Sequence, residues 1–215
     1  MQLTEITLLT NSLPEIKNFY RQKLNFNCID STTHSAAFQC GASILRFQQS
    51  NLAAYYHFAF NIDPVCFNTA HKWAEENLQL ISYEKQNIVD FPNWNARSFY
   101  FLDPAGNILE FIARFDLPSN SAAFSTSSIL GISEIGIVTD PVSAMRHRLQ
   151  NNFNVQPFFR QTPTDEFCPM GDDNGLLIVV TQHRNWFPTT ITCMPFPLKI
   201  KFTDNNGQSH QLSVD

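Results

Sequence analysis

The sequence predicts an α+β fold made of repeated units, each with one strand, one helix and three further strands (βαβββ). The first observation behind this prediction is self-similarity, because a strand-like segment followed by a helix-like segment recurs three times in the 215 residues. The second is apolar spacing of three to four residues in the helix-like segments. The third is composition: with 43% hydrophobic and 15% charged residues, the chain can bury a sizeable core.

The first unit begins with the strand-like run TEITLLT. Pro14 lies in the first turn of the helix that follows, where its missing N–H costs nothing, and the apolar spacing continues the helix through Leu24. Three strands are then expected, at residues 27–30, 34–39 and 42–48, with the turn between the last two at Gly41.

The second unit repeats this order. Its strand is YHFAFNI, its helix starts at Asp63-Pro64, and strands are expected near residues 81–85, 98–102 and 107–114. The third unit begins with SEIGIVT and Asp140-Pro141 but is looser afterwards, with strands expected near residues 155–160, 166–170 and 176–182.

Domain boundaries follow from this repeat. Residues 1–116 hold two units, 1–50 and 54–116, and the serine-rich residues 117–128 are typical of a linker. Residues 129–215 then form a third, divergent unit. Its last residues alternate apolar and polar side chains around an Asn-Asn-Gly turn, which predicts a hairpin that completes the third unit's sheet.

Charge and cysteine usage exclude several classes of protein. Fourteen basic and nineteen acidic residues give a net charge of −5, without the basic stripe of a nucleic-acid binder. No apolar run is long enough to span a membrane, and the N-terminus lacks the pattern of a secretory signal. The five cysteines are scattered singly, which favours reduced thiols and a cytoplasmic location over disulfides or a cysteine-based zinc site.

Glu110 is the most informative single residue. It interrupts the apolar run ILEFI, and burying an unpaired carboxylate there would be very costly. The sequence therefore predicts that Glu110 has a partner, either a cation, a metal ion or water in a cavity.

Two motifs resemble the vicinal oxygen chelate superfamily, which includes glyoxalase I, extradiol dioxygenases, fosfomycin-resistance enzymes and bleomycin-binding proteins. They are FYFLDPAGNILEF and LLTNSLPEIKNFYRQKLNF, and the resemblance is close over residues 1–115 and weaker over residues 129–215. It implies that two βαβββ units form a cupped, incomplete mixed β-barrel whose first and last strands carry metal ligands. It also implies a small-molecule substrate or ligand and a homodimer.

Four residues of this sequence match positions of the superfamily's site. The resemblance implies that Glu5, His57 and Glu110 are metal ligands, a set that suits Mn²⁺, Fe²⁺ or Zn²⁺. Glu110 and Arg46 are the candidate catalytic residues, with Arg46 orienting an anionic group of the substrate. A metal-free alternative is open, in which Arg46 forms a hydrogen-bonded ion cluster with Glu5 and Glu110.

Glu134 and residues 183–186 are not part of the site that the resemblance implies. Glu134 occupies in unit three the position that Glu5 holds in unit one, but the corresponding last strand, LIVV, offers no ligand, so Glu134 is expected to face solvent or to pair with an arginine. Residues 183–186 follow an apolar strand and are interpreted as a structural loop, with a pocket-lining role as the alternative.

The sequence is compatible with two functions. The first is a glyoxalase-like or dioxygenase-like enzyme, with lyase or ring-cleaving chemistry, that uses a divalent metal to act on a small oxygen-rich substrate. The second is a metal-free protein of the bleomycin-resistance type that binds or sequesters a small molecule. A third hypothesis assigns the last unit to pairing with another chain or to capping the barrel.

Overall fold

A computed structural model describes residues 1–119 and 124–215, except for the side chain of Ser127. Within these residues, one mixed sheet of 14 strands runs through the chain, and three α-helices pack against it. The predicted α+β class is confirmed, and the sheet curves without closing into a barrel. No helix in the described part of the chain combines the length and apolarity needed to cross a membrane.

Unit one has the predicted order of elements, with a π-helical turn over Phe19–Lys23 extending its helix. Its elements are β1 (Gln2–Thr10), α1 (Leu13–Asn18), β2 (Asn27–Ser31), β3 (Ser35–Cys40) and β4 (Ser43–Gln49). β4 lies parallel to β1, β3 pairs antiparallel with β4, and β2 pairs antiparallel with β3.

Unit two has the same topology with an additional short strand. Its elements are β5 (His57–Ile62), α2 (Phe67–Asn77), β6 (Leu80–Ile81), β7 (Val89–Phe91), β8 (Ala96–Leu102) and β9 (Ile108–Arg114). β9 is parallel to β5, and β8 is antiparallel to β9. Single 3₁₀ turns precede α2, at Pro64–Cys66, and β8, at Pro92–Trp94.

The rest of the chain forms a shorter unit three and a separate hairpin. Unit three contains β10 (Ile129–Val138), α3 (Val142–Phe153), β11 (Phe167–Asp172) and β12 (Gly175–Val180), and the hairpin contains β13 (Leu198–Thr203) and β14 (Ser209–Val214). The strand expected near residues 155–160 does not form; Pro157 makes one isolated bridge to Met170. The expected linker includes a 3₁₀ turn at Thr126–Ser128, and its residues 120–123 lie outside the described part.

The pairing of units differs from the expectation that units one and two face each other. β5 of unit two pairs antiparallel with β10 of unit three, and β1 of unit one pairs antiparallel with β13. The hairpin therefore belongs to the sheet of unit one and does not complete unit three. The first strands of the units have similar apolar patterns. Periodicity in the sequence therefore does not determine which of these strands pair with each other.

The turn between β8 and β9 holds units one and two together. Asp103 accepts hydrogen bonds from the amide of Asn107 (2.7 Å) and from the Tyr20 hydroxyl of unit one (3.0 Å). The side-chain oxygen of Asn107 in turn accepts from the backbone N–H of Tyr56 (2.8 Å), just before β5. This buried network sets the start of β5 and β9, the two strands that carry His57 and Glu110.

Candidate metal centre and cavity

Three titratable side chains converge where β5, β9 and β10 lie side by side. Each of His57, Glu110 and Glu134 offers one ligand atom, and these atoms all lie within 4.8 Å of one another. Both glutamates stand in register with Ala59, and His57 is two residues before Ala59, so all of them project from one face of the sheet.

His57 is oriented by a backbone carbonyl. Its Nδ1 lies 3.1 Å from the carbonyl oxygen of Ile108, which can only accept, so Nδ1 carries the proton. Burial lowers the pKa of His57 to about 4, which keeps the ring neutral at physiological pH. The unprotonated Nε2 then faces Oε2 of Glu110 at 3.5 Å.

Burial and a neighbouring carboxylate disfavour the charged form of Glu110. Burial, followed by the negative charge of Glu134, raises its pKa to about 8, and the positive charge of Arg114 opposes this shift. Tyr100 stands directly opposite Glu110 on β8 and lines the same space. Nε2 of His57 and an ionised Glu110 would be two acceptors facing each other, an arrangement that requires a proton or a cation between them.

Glu134 has a cationic partner. Nη2 of Arg114 makes a short ion pair with Oε1 of Glu134, and the Arg114 side chain is fully buried. Burial raises the pKa of Glu134, and the guanidinium of Arg114 opposes that shift. Of the two alternatives expected for Glu134, exposure to solvent or pairing with an arginine, the structure shows pairing with an arginine.

A cavity of about 400 Å³ opens over these three residues. Its walls are mainly aromatic and aliphatic, and its edge is polar; the lining includes Phe91, Trp94, Tyr100, Phe167, Ile178, Trp186 and Phe187 in the walls and Gln161, Thr164, Arg184 and Asn185 at the edge. Such a cavity suits a small ligand with an apolar body and a few oxygen atoms.

Trp186 closes one side of the cavity by packing on Gly136 of β10. A Cβ at position 136 would overlap the indole ring, so the glycine makes this contact possible. The indole also lies 5.3 Å from the His57 ring, centroid to centroid. Three of residues 183–186 line the cavity, so the pocket-lining alternative for this segment agrees with the structure.

Ile178 in unit three is at the position equivalent to Glu110 in unit two. His57 is opposite Ile108 on the last strand of unit two, and Glu110 follows two residues later; in unit three, Glu134 is opposite Leu176 and Ile178 follows. Units two and three thus contribute three polar side chains and one apolar side chain from equivalent positions. These positions supply three candidate metal-ligating residues.

Glu5 and Arg46 lie elsewhere, which corrects the grouping inferred from sequence. Oε1 of Glu5 contacts Nε of Arg46 (3.5 Å) and Nζ of Lys201 (3.2 Å), and Arg46 also contacts Asp30 (3.0 Å). The physical reason is that β10 pairs with β5 and lies between β5 and β1, so the first strand of unit one does not reach β5. The structure brings His57 and Glu110 together with Glu134, and Glu5 and Arg46 form a separate ion cluster.

Sequence reasoning noticed Glu134 but did not place it in the centre. Its position matches that of Glu5 within the repeat, which is a usable signal, but choosing between them requires the strand pairing. Arg114 was not singled out, although its burial at the end of ILEFIAR puts a second charge on the strand of Glu110.

Comparison with known proteins supports the fold. No protein-family model matches the chain, and no curated protein matches it in sequence. Among solved structures, a "putative dioxygenase" from Bacillus subtilis has 13% identity and a TM-score of 0.64, covering 100% of this chain and 85% of that chain. A mutant glyoxalase I from Zea mays has 10% identity and a TM-score of 0.58, covering 99% and 92%. At these identities the likeness establishes a shared fold.

Proposed function

We propose that this chain, which has the fold of the vicinal oxygen chelate superfamily, is a divalent-metal-dependent enzyme acting on a small oxygen-rich substrate. The metal would be held by His57, Glu110 and Glu134. The observation that carries the proposal is the contact of His57 Nε2 with Glu110 Oε2 at 3.5 Å, with Glu134 completing a group of ligand atoms within 4.8 Å.

The donor set fits a divalent ion. A neutral imidazole whose other nitrogen is tied to a backbone carbonyl is the usual state of a histidine that binds metal. One imidazole and two carboxylates suit Mn²⁺, Fe²⁺ or Zn²⁺. A bound ion would act as a Lewis acid that polarises substrate oxygens at the positions that the protein leaves open.

The surrounding residues have separate tasks in this proposal. The aromatic walls exclude water and hold the apolar part of the substrate, which strengthens every electrostatic interaction inside the cavity. Ile108 orients His57 through its carbonyl. Arg184 lies at the edge of the cavity, where its positive charge can interact with a polar group of the bound substrate.

Metal content tests the proposal. Protein purified without chelator is expected to contain about one divalent ion per chain, and its melting temperature is expected to rise when Mn²⁺, Fe²⁺ or Zn²⁺ is added to the metal-free form. Metal well below one per chain, together with an unchanged melting temperature for all three ions, would contradict it.

A second candidate function is supported by the protonation of Glu110. Because burial raises its pKa to about 8, Glu110 can carry a proton at neutral pH and donate it to Nε2 of His57. The centre would then be complete without metal, and the cavity would bind or sequester an apolar small molecule. Ligand-induced stabilisation that is unchanged by chelator would favour this candidate.

We also propose the homodimer and the cytoplasmic location that the sequence suggests. All five cysteines are free thiols, and four of them are buried, which suits a reducing compartment. The mass of the full chain in solution tests the homodimer directly: twice the chain mass is expected, and a monomer at micromolar concentration would contradict it.

A further inference from the structure

We infer that Arg114 is a positioning residue for the proposed metal centre: its guanidinium holds Glu134 so that one carboxylate oxygen is presented to the ion. This inference rests on the proposed function. It assigns a role to a buried charge that lies outside the set of ligand atoms, at the far end of the strand that carries Glu110.

The guanidinium is fixed on three of its edges. Nε donates to the hydroxyl of Ser133 (3.1 Å), Nη1 contacts Oδ1 of Asp173 (3.4 Å), and Nη2 pairs with Oε1 of Glu134. With Oε1 engaged, Glu134 has Oε2 left for a metal ion. Arg114 therefore limits Glu134 to one free oxygen and fixes the direction in which it points.

The faces of the guanidinium are packed as well as its edges. Its central carbon lies 5.5 Å from the ring centre of Trp94 and 5.9 Å from that of Phe158, and these two rings contact each other edge to face. Trp94 is also a wall of the cavity. One side chain thus connects a metal-ligating carboxylate to the surface that would contact the substrate.

Lysine cannot reproduce this arrangement. An ammonium group keeps the charge but lacks the planar fork that reaches three acceptors in fixed directions and stacks on aromatic rings. If the role of Arg114 were to supply positive charge alone, lysine would suffice. If its role is positioning, lysine leaves Glu134 free to rotate.

The experiment measures the affinity of the full-length, metal-free protein for Mn²⁺. Arg114→Lys is expected to weaken binding about 10- to 100-fold, the usual effect of losing a group that orients a ligand. Arg97→Lys is the matched control, because Arg97 also pairs with a carboxylate, Asp90 at 2.7 Å, and packs on an aromatic ring, Phe67. The control is expected to keep wild-type affinity.

A double-mutant cycle separates positioning from a general structural effect. In the Glu134→Gln background, Arg114→Lys is expected to change Mn²⁺ affinity less than threefold, because the carboxylate that it orients is gone. An equal loss in both backgrounds would overturn the inference, as would wild-type affinity in Arg114→Lys itself.

Asp173→Asn is a second variant that tests the inference even if Arg114→Lys does not fold. Asp173 anchors Arg114 from the turn between β11 and β12 and contributes no atom to the metal-ligating group. The Asp173→Asn variant is expected to weaken Mn²⁺ binding severalfold while remaining folded, and unchanged affinity would overturn the inference.

Absence of Mn²⁺ binding by the wild-type protein would overturn both this inference and the proposed function. Normal wild-type binding with unaffected variants would overturn this inference alone.

Discussion

Nε2 of His57 and Oε2 of Glu110 lie 3.5 Å apart, and the proton of the imidazole is on the opposite nitrogen, bound to the carbonyl of Ile108. The two facing atoms are therefore acceptors unless Glu110 is protonated. A distance of 3.5 Å is also long for a hydrogen bond from a carboxylic acid, which is usually about 2.5–3.0 Å. The pair is suited to a cation placed between the two residues.

The metal-free protein is expected to lose stability between about pH 6.5 and pH 8. Burial raises the pKa of Glu110 to about 8, whereas His57, with a pKa lowered to about 4, is neutral in the folded chain across this range and at most half protonated in the unfolded chain. A carboxyl group that holds its proton more tightly when folded stabilises the fold below its unfolded pKa and loses that contribution as pH rises through the folded pKa.

Denaturant titrations at several pH values check this prediction. Glu110→Gln, which cannot ionise, is expected to show a flatter dependence of the free energy of unfolding on pH over the same range. Identical slopes for the wild-type protein and Glu110→Gln would contradict the assignment of a raised pKa to Glu110.

Glu134→Gln and Glu5→Gln distinguish the two carboxylates that occupy equivalent positions in the repeat. Glu134→Gln is expected to weaken Mn²⁺ binding at least about 10-fold, because a charged ligand becomes a neutral amide. Glu5→Gln is expected to keep wild-type affinity, since Glu5 pairs with Arg46 and Lys201. Calorimetric titration with Mn²⁺ measures both, and the reverse order of effects would restore the grouping of Glu5 with His57.

Gly136→Ala is expected to displace Trp186 from the cavity wall. The added methyl group would overlap the indole ring, and relieving that overlap is expected to cost about 1–3 kcal/mol of unfolding free energy. Denaturant unfolding followed by tryptophan fluorescence reports both effects. Wild-type stability with an unchanged emission spectrum would show that Trp186 does not pack on position 136.

Tyr20→Phe is expected to destabilise the junction between units one and two. The variant removes the hydroxyl that donates to the buried carboxylate of Asp103 at 3.0 Å, a loss of about 1.5–3 kcal/mol for a hydrogen bond to a charged group. Tyr83→Phe, at a tyrosine that is 39% exposed, is the control and is expected to change stability by less than about 0.5 kcal/mol. Equal effects of the two substitutions would contradict a role for the Asp103 network.

Local features of the fold were predictable because local residues determine them. The apolar runs predict β8 and β9, and the Asn-Asn-Gly turn predicts the final hairpin; the structure contains all of these elements. The fold that the resemblance of two short motifs implies is shared with the solved "putative dioxygenase" and the solved glyoxalase I.

The composition of the centre was only partly predictable because it depends on which strands meet. His57 and Glu110 belong to the same unit, so their proximity follows from the parallel pairing of β5 with β9. Their third neighbour comes from the unit that pairs with β5, and Glu5 and Glu134 are equivalent by position within the repeat. The choice rests on contacts between segments about 75 residues apart in sequence, such as Ala59 with Glu134.

Anomalous diffraction from crystals soaked in Mn²⁺ tests the proposed metal centre most directly. We expect one strong anomalous peak bounded by His57, Glu110 and Glu134, at about 2.0–2.3 Å from Nε2 of His57. The absence of a peak there, with His57 and Glu110 joined instead by a direct hydrogen bond shorter than about 3.0 Å, would contradict the metal centre and favour a metal-free binding protein.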